Sequence, residues 1–222
     1  MIGVNRRRYM GGKSLPYDAE IEYIGSNSSA PAIYQYIDTG IVPTTGYQIH
    51  IKLGPITTYP AGQSSLFIQA WAIRCFFIQV ASDAPNQIYW HGMNPSAYHE
   101  LNSEGVNDVV CGNGFIIVNG TTYTSSNYLT NTSKTIILFC NDSGRRSVYN
   151  LYLFEVIYNG VVIAQFKPVR VGSEGCLYET VSKQIFHNNG TGSFTLGPDK
   201  IGGGKCLIIN MLCGYSVERR AA

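Results

Sequence analysis

The clearest alternation of apolar and polar positions lies in residues 149–166. Two β-prone runs, Tyr149-Asn-Leu-Tyr-Leu-Phe-Glu-Val-Ile-Tyr158 and Val161-Val-Ile-Ala-Gln-Phe166, are separated by Asn159-Gly160. Asn and Gly tolerate the positive φ that a two-residue type I′ turn needs, so this pattern predicts a hairpin. Unbroken pairing sets Tyr158 opposite Val161, Val156 opposite Ile163 and Phe154 opposite Gln165. Leu151, Leu153 and Ile157 then share one face, and Tyr152, Phe154, Val156 and Tyr158 the other. With both faces apolar, the first strand is expected at the centre of a sheet, covered on both sides.

The same reading predicts strands over 20–24, 33–40 and 47–53. In the last of these Tyr47, Ile49, Ile51 and Leu53 face one way and Gln48, His50 and Lys52 the other, which sets His50 on a solvated face. Strands over 64–69 and 72–80 are expected to pair around Trp71, followed by 87–91 and 97–101. Asn113-Gly114 and Asn119-Gly120 bracket Phe115-Ile-Ile-Val118, and Thr121-Thr-Tyr-Thr124 returns from the second turn. The apolar run over 134–140 reads as a buried strand. Segments 166–170, 175–178 and 183–186 continue the series beyond the hairpin. Short strands separated by turn residues, with no long helical period, imply an all-β, two-sheet antiparallel sandwich.

Composition agrees with that picture. The chain of 222 residues is 45% hydrophobic, enough for one sizeable core, and carries 24 Gly and 16 Tyr, as turn-rich β-proteins do. Charge is unevenly spread, although the net value is only +2. Residues 1–16 and 198–222 hold Arg6, Arg7, Arg8, Lys13, Lys200, Lys205, Arg219 and Arg220 against Asp199 and Glu218. The low net charge and a body (17–197) with eight basic against twelve acidic groups argue against nucleic-acid binding through the body. The basic ends read either as solvated tails or as arms that dock on an acidic partner. Three segments follow: a basic N-terminal arm (1–16), a sandwich domain (17–199) and a tail (200–222) joined through Gly202–Gly204. The tail's apolar run, with Leu207, Ile208 and Ile209, needs a cover, either on the sandwich or on a second chain. It is too short to span a bilayer. The N-terminus has no apolar core of an export signal. The six cysteines show no paired spacing, so Cys75, Cys140 and Cys176 are expected as buried free thiols.

Several motifs resemble a known family. Ile33-Tyr-Gln-Tyr-Ile-Asp-Thr-Gly-Ile-Val-Pro43 resembles the "QYIDTGI-P" signature of concanavalin A-like, laminin-G-like jelly-roll modules, found in gut-bacterial surface proteins and in virion proteins of their phages. Phe166-Lys-Pro-Val-Arg-Val-Gly172, Gly175-Cys-Leu-Tyr-Glu-Thr-Val-Ser-Lys-Gln-Ile-Phe186 and Gly190-Thr-Gly-Ser-Phe-Thr-Leu-Gly-Pro198 are similar to that family's closing pattern, in order and spacing. The sequence departs from it at Glu179, where the family has Asp, and at Ser182-Lys183, which lacks the usual preceding Gly. The resemblance covers about residues 17–199 and implies a jelly-roll sandwich with a lectin-like fold.

Chemistry is sparse. The E-x-D-x-x-E motif of sandwich glycosidases is absent, and Glu100 and Glu104 stand roughly 13 Å apart on a strand, too far for a retaining pair. Glu155 is alone among apolar neighbours and is expected to be a paired or edge-facing carboxylate rather than a functional acid. No G-x-S-x-G elbow or phosphate loop occurs. The expectation is a non-enzyme without cofactor or metal, Asn141-Asp142 being the one loop that invites a cation. Aromatic rings beside amide and imidazole groups suit sugars, whose C–H faces stack on rings. Trp90 and Tyr98 are the candidate platform, with His91 and Asn94 as hydrogen-bonding partners. The resemblance and the missing export signal together imply a virion decoration, fibre or receptor-binding protein that recognises surface glycans. The alternatives are a purely structural virion protein, attached to other virion proteins or to itself through Arg6–Arg8 and residues 207–209, and a carbohydrate-binding module of the bacterial cell surface.

Overall fold

The computed structural model describes residues 15–26, 35–54, 65–69, 77–80, 86–94, 97–139 and 149–200. Every regular element among them is a strand. In chain order these are β1 (Ala19–Glu20), β2 (Ile24–Gly25), β3 (Ile37–Asp38), β4 (Tyr47–Leu53), β5 (Ser65–Gln69), β6 (Phe77–Val80) and β7 (Gln87–Trp90). Then come β8 (Met93–Asn94), β9 (Tyr98–Glu100), β10 (Asn107–Gly112), β11 (Phe115–Val118), β12 (Thr121–Thr124), β13 (Ser126–Asn127) and β14 (Ile137–Leu138). The last are β15 (Asn150–Tyr158), β16 (Val161–Val171), β17 (Glu174–Glu179), β18 (Gln184–Phe186) and β19 (Thr195–Leu196).

All pairing is antiparallel. A large sheet runs β12-β11-β10-β4-β15-β16-β17-β18, with β1 added to β16, β2 joined to β15 and β19 joined to β2. A smaller sheet runs β3-β14-β5-β6-β7-β9, and β8 pairs with β13 alone. The two sheets pack as a β-sandwich. Alternation decides what lies between them: Ile49, Ile51, Val109, Cys111, Phe154, Val156 and Phe166 come from the large sheet and Ile78, Ile88, Trp90 and Leu138 from the small one, in a single buried cluster. Each such side chain contributes about 1.5–3 kcal/mol by leaving water.

The hairpin turns at Asn159-Gly160, with φ of 51° and 75°. β15 is central, between β4 and β16. Its register differs from unbroken pairing. Ile157 pairs with Val162 and Val156 with Ala164, so Ile163 is a bulge and Phe154 faces Phe166 rather than Gln165. A second bulge, at Tyr152 against β4, moves Leu151 to the core side with Phe154 and Val156. A bulge inserts one unpaired residue and so reverses facing parity beyond it. The outer face of β15 is not apolar either, since Glu155 lies at its middle.

Other strands are shorter than their apolar runs predicted: 20–24 is broken into β1 and β2, and among the described residues of the 134–140 run only Ile137–Leu138 is strand. β10 was not predicted at all. Cys111 and Cys176 are buried free thiols; Cys75, Cys140, Cys206 and Cys213 lie outside the described residues, as do Trp71, Asn141 and Asp142. The arm residues Arg6, Arg7 and Arg8, the Gly202–Gly204 linker and the tail residues Leu207, Ile208 and Ile209 also lie outside them.

Candidate functional site

The four residues proposed as a sugar site separate according to strand parity. On β7, Ile88 and Trp90 point inward and Gln87 and Tyr89 outward. Trp90 is fully buried, and its indole Nε1 donates to the Gly112 carbonyl at 2.8 Å. It is core, and not a stacking platform. Gly92 packs on the same indole so closely that a Cβ there would stand 2.3 Å from Trp90 Nε1. That contact explains the glycine at the turn between β7 and β8.

Tyr98 does reach solvent, at 50% exposure. β7 and β9 pair Tyr89 directly with Tyr98 and Gln87 with Glu100. The Tyr89 ring lies 4.9 Å from Tyr98 on one side and 4.6 Å from His91 on the other. Tyr98, Tyr89 and His91 therefore form a row of rings on the outward side of the small sheet, at its β9 edge. Gln87 and Glu100, paired one register step on, lie beside it. Tyr89 replaces Trp90 as the second ring; the alternation Ile88-Tyr89-Trp90 carried the signal, since Trp90 shares a side with Ile88. Asn94 is exposed on β8, where its carbonyl accepts from the Ser125 hydroxyl.

The corner is fastened to the large sheet. Gly114 N–H donates to the Gly92 carbonyl at 2.8 Å and Ser125 N–H to the Gly114 carbonyl at 2.8 Å. Asn113 Oδ1 accepts from the amides of Tyr128 and Leu129 at 2.8 and 2.9 Å. Behind the rings, buried His99 lies 4.1 Å from the Tyr123 ring of β12. Burial lowers the imidazole pKa of both histidines, that of His91 to about 4. Both are neutral at physiological pH, so the ring row carries no charge of its own apart from Glu100.

The outer face of the large sheet is different. His50 was expected at a solvated position, but its side chain is only 18% exposed and held between two carboxylates. Its Nδ1 lies 2.7 Å from Glu155 Oε2 and its Nε2 2.9 Å from Asp108 Oδ1. Glu155 also accepts from Gln165 Nε2 at 2.6 Å, whose Oε1 accepts from Thr180 Oγ1 at 3.1 Å. Lys52 closes the other end on Asp108 at 3.1 Å. This row crosses β10, β4, β15 and β16. Beside it a cleft of about 460 Å³ is lined by Lys52, Lys167, Lys200, Glu22, Tyr152 and Leu153.

Glu179 lies buried at the β17 end. Burial would raise its pKa, but hydrogen bonds from Ser182 and from the amides of Gln165, Ser182 and Val181 outweigh that and lower it. The Gln165 and Val181 amides are each 2.9 Å from Oε1. The turn it caps sets Lys183 at φ 64°, in the left-handed region.

No family model and no curated protein matches the chain. Among solved structures, the chain is similar to a "putative carbohydrate binding protein" from Bacteroides ovatus ATCC 8483, with a TM-score of 0.56 at 11% sequence identity. The match covers 84% of this chain and 62% of that one. The likeness is one of fold, and this chain spans less than two thirds of that protein's length.

Proposed function

We propose that the chain is a non-catalytic module of lectin-like, concanavalin A-like fold that binds carbohydrate on the Tyr98–Tyr89–His91 row. The observation that carries this reading is the ring pair of exposed Tyr98 and half-buried Tyr89, tilted at 51° to each other, with Gln87 and Glu100 alongside. Tyrosine rings offer an apolar face at low entropic cost, and flanking amide and carboxylate groups read hydroxyls. The fold likeness to a protein bearing a carbohydrate-binding name is consistent with it. Its non-catalytic character is supported by the missing glycosidase motif and by Glu155 and Asp108 being engaged by His50. Attachment within a virion through the basic and apolar ends extends the proposal on sequence grounds, with the bacterial cell surface as the alternative setting.

A glycan array followed by calorimetry tests the site. Tyr98→Ala should keep the fold and weaken binding about ten- to a hundredfold, the usual worth of a stacking ring. Binding that survives both Tyr98→Ala and Tyr89→Ala unchanged would move the site elsewhere.

A further inference from the structure

A second site stands at the opposite edge of the molecule, on β17 and the residue after β18. Glu174 and Cys176 are two residues apart on a strand and share a face. The β17–β18 register pairs Leu177 with Phe186, so the next residues outward, Cys176 and His187, are cross-strand neighbours. Three ligating atoms converge there. His187 Nδ1 lies 3.5 Å from Cys176 Sγ and 3.0 Å from Glu174 Oε2, and all three atoms fall within 4.8 Å of one another. Sulfur and nitrogen ligands on a tetrahedral zinc ion are about 3.6 Å apart, and nitrogen and oxygen ligands about 3.4 Å, from the ordinary metal–ligand lengths. The Cys176–His187 spacing matches the first, and the His187–Glu174 pair, now in direct hydrogen-bond contact at 3.0 Å, would open slightly to admit the cation.

We propose that Glu174, Cys176 and His187 bind a divalent transition-metal cation of the zinc class, with a fourth position open to water. The donor set selects the metal: a thiolate and an imidazole favour zinc over magnesium or calcium, which prefer oxygen. Access and support are both present. The His187 and Glu174 side chains are 54% and 45% exposed and form the mouth. Cys176 forms the floor, buried with Val169 and Tyr178, and Tyr178 leans on Tyr17 at 5.0 Å. The chain just past His187 is pinned, since Asn188 Oδ1 accepts from Tyr36 N–H at 3.1 Å and Asn189 N–H donates to the Tyr36 carbonyl at 2.8 Å. On binding, the Cys176 thiol gives its proton to solvent as the cation takes the sulfur. The ion would then staple edge strand β18 to β17.

The spacing of these residues in sequence carried no metal signal, because Cys176 and His187 are eleven apart and meet only through strand pairing. The site is independent of the carbohydrate row and stands or falls alone. The test uses the full chain, stripped with chelator and titrated with zinc alone or with cobalt as a spectroscopic probe. The expected result is uptake of about one equivalent, a sulfur-to-cobalt charge-transfer band, and a rise in melting temperature with zinc. Cys176→Ser should abolish the band, whereas Cys111→Ser should keep it. His187→Ala, at an exposed position that leaves the core intact, should weaken zinc binding more than about tenfold. The proposal is overturned by no uptake in the folded wild-type protein. It is equally overturned by uptake that His187→Ala leaves unchanged, which would put the metal on other cysteines.

Discussion

On the outward side of the large sheet, Lys52, Asp108, His50, Glu155, Gln165 and Thr180 answer one another in a continuous row of ion pairs and hydrogen bonds. On the outward side of the small sheet, Tyr98, Tyr89 and His91 lie ring beside ring in tilted and edge-on contact. The contrast follows from what each kind of group costs when left alone. A half-buried carboxylate or imidazole without a partner loses its hydration, so such groups gather into satisfied networks. An exposed tyrosine ring keeps its hydroxyl in water and still offers an apolar face, an invitation to a ligand rather than a defect. On the reading proposed above, the first row is architecture and the second is the recognition surface.

The largest effect that can break this contrast lies just beneath the rings. Trp90→Ala should cost about 3–5 kcal/mol, because it empties a buried indole site and orphans the Gly112 carbonyl. Tyr98→Ala, one side chain away on the surface, should cost under about 1 kcal/mol. Denaturant melts of the two variants measure this directly. Equal costs would mean that the inward and outward sides of β7 and β9 have been exchanged.

The charged row gives the next effect. Removing the Glu155 carboxyl leaves His50 half-buried beside only Asp108, and Glu155→Ala should destabilise by about 2–3 kcal/mol. Lys52→Ala breaks a pair whose members are 42% and 46% exposed and should cost less than about 1 kcal/mol. A His50–Glu155 double-mutant cycle should show coupling of about 1 kcal/mol or more. Additive losses would show the row to be a set of unrelated surface contacts.

Acid should separate the two regions again. The folded pKa of His91 is depressed to about 4 by burial, and that of His99 is depressed for the same reason. The unfolded chain therefore takes up protons first, so the stability these neutral rings contribute is present above about pH 6.5 and is lost as pH falls toward 4. The loss should be on the order of 1–3 kcal/mol. His91→Gln should lose less stability over that window than the wild-type protein, measured by melts at stepped pH. An identical pH dependence in both would remove His91 from the account.

Much of this was legible in the sequence, and the rest was hidden for identifiable reasons. β4, β11 and β12 follow their alternation or their flanking Asn-Gly turns to the residue. The Asn159-Gly160 turn is where its chemistry puts it. The bulges at Tyr152 and Ile163 were not legible, because an extra residue inside a uniformly β-prone run leaves no mark of its own. β10 was missed because it opens on Asn107-Asp108, polar residues that read as loop; Asn107 is in fact buried, holding Asn102 N–H at 2.7 Å. His50 looked like surface because its partner Glu155 is 105 residues away. Trp90 looked like a platform because it stands among polar neighbours, although the parity of Ile88 already placed it inward.

The smallest effect is the one that best distinguishes the two faces as binding surfaces. If carbohydrate is held on the ring row, the attraction comes from stacking and from hydrogen bonds to Gln87 and Glu100. Neither depends on long-range charge. Ions screen exposed charges beyond about 10 Å at 0.1 M salt and beyond about 3 Å at 1 M. Affinity for a neutral oligosaccharide should then change by less than about twofold between these conditions, a few tenths of a kcal/mol. The cleft beside the charged row would behave otherwise: Lys167 and Lys200 face it with Lys52, and an acidic sugar held there would weaken steadily as salt rises. Titrating one neutral and one uronate-bearing oligosaccharide at both salt concentrations reads the difference. Salt-insensitive binding of the neutral sugar that is lost in Tyr98→Ala places recognition on the small sheet. Salt-sensitive binding of the acidic sugar alone, untouched by Tyr98→Ala, would transfer it to the lysine cleft and reverse the roles assigned to the two faces.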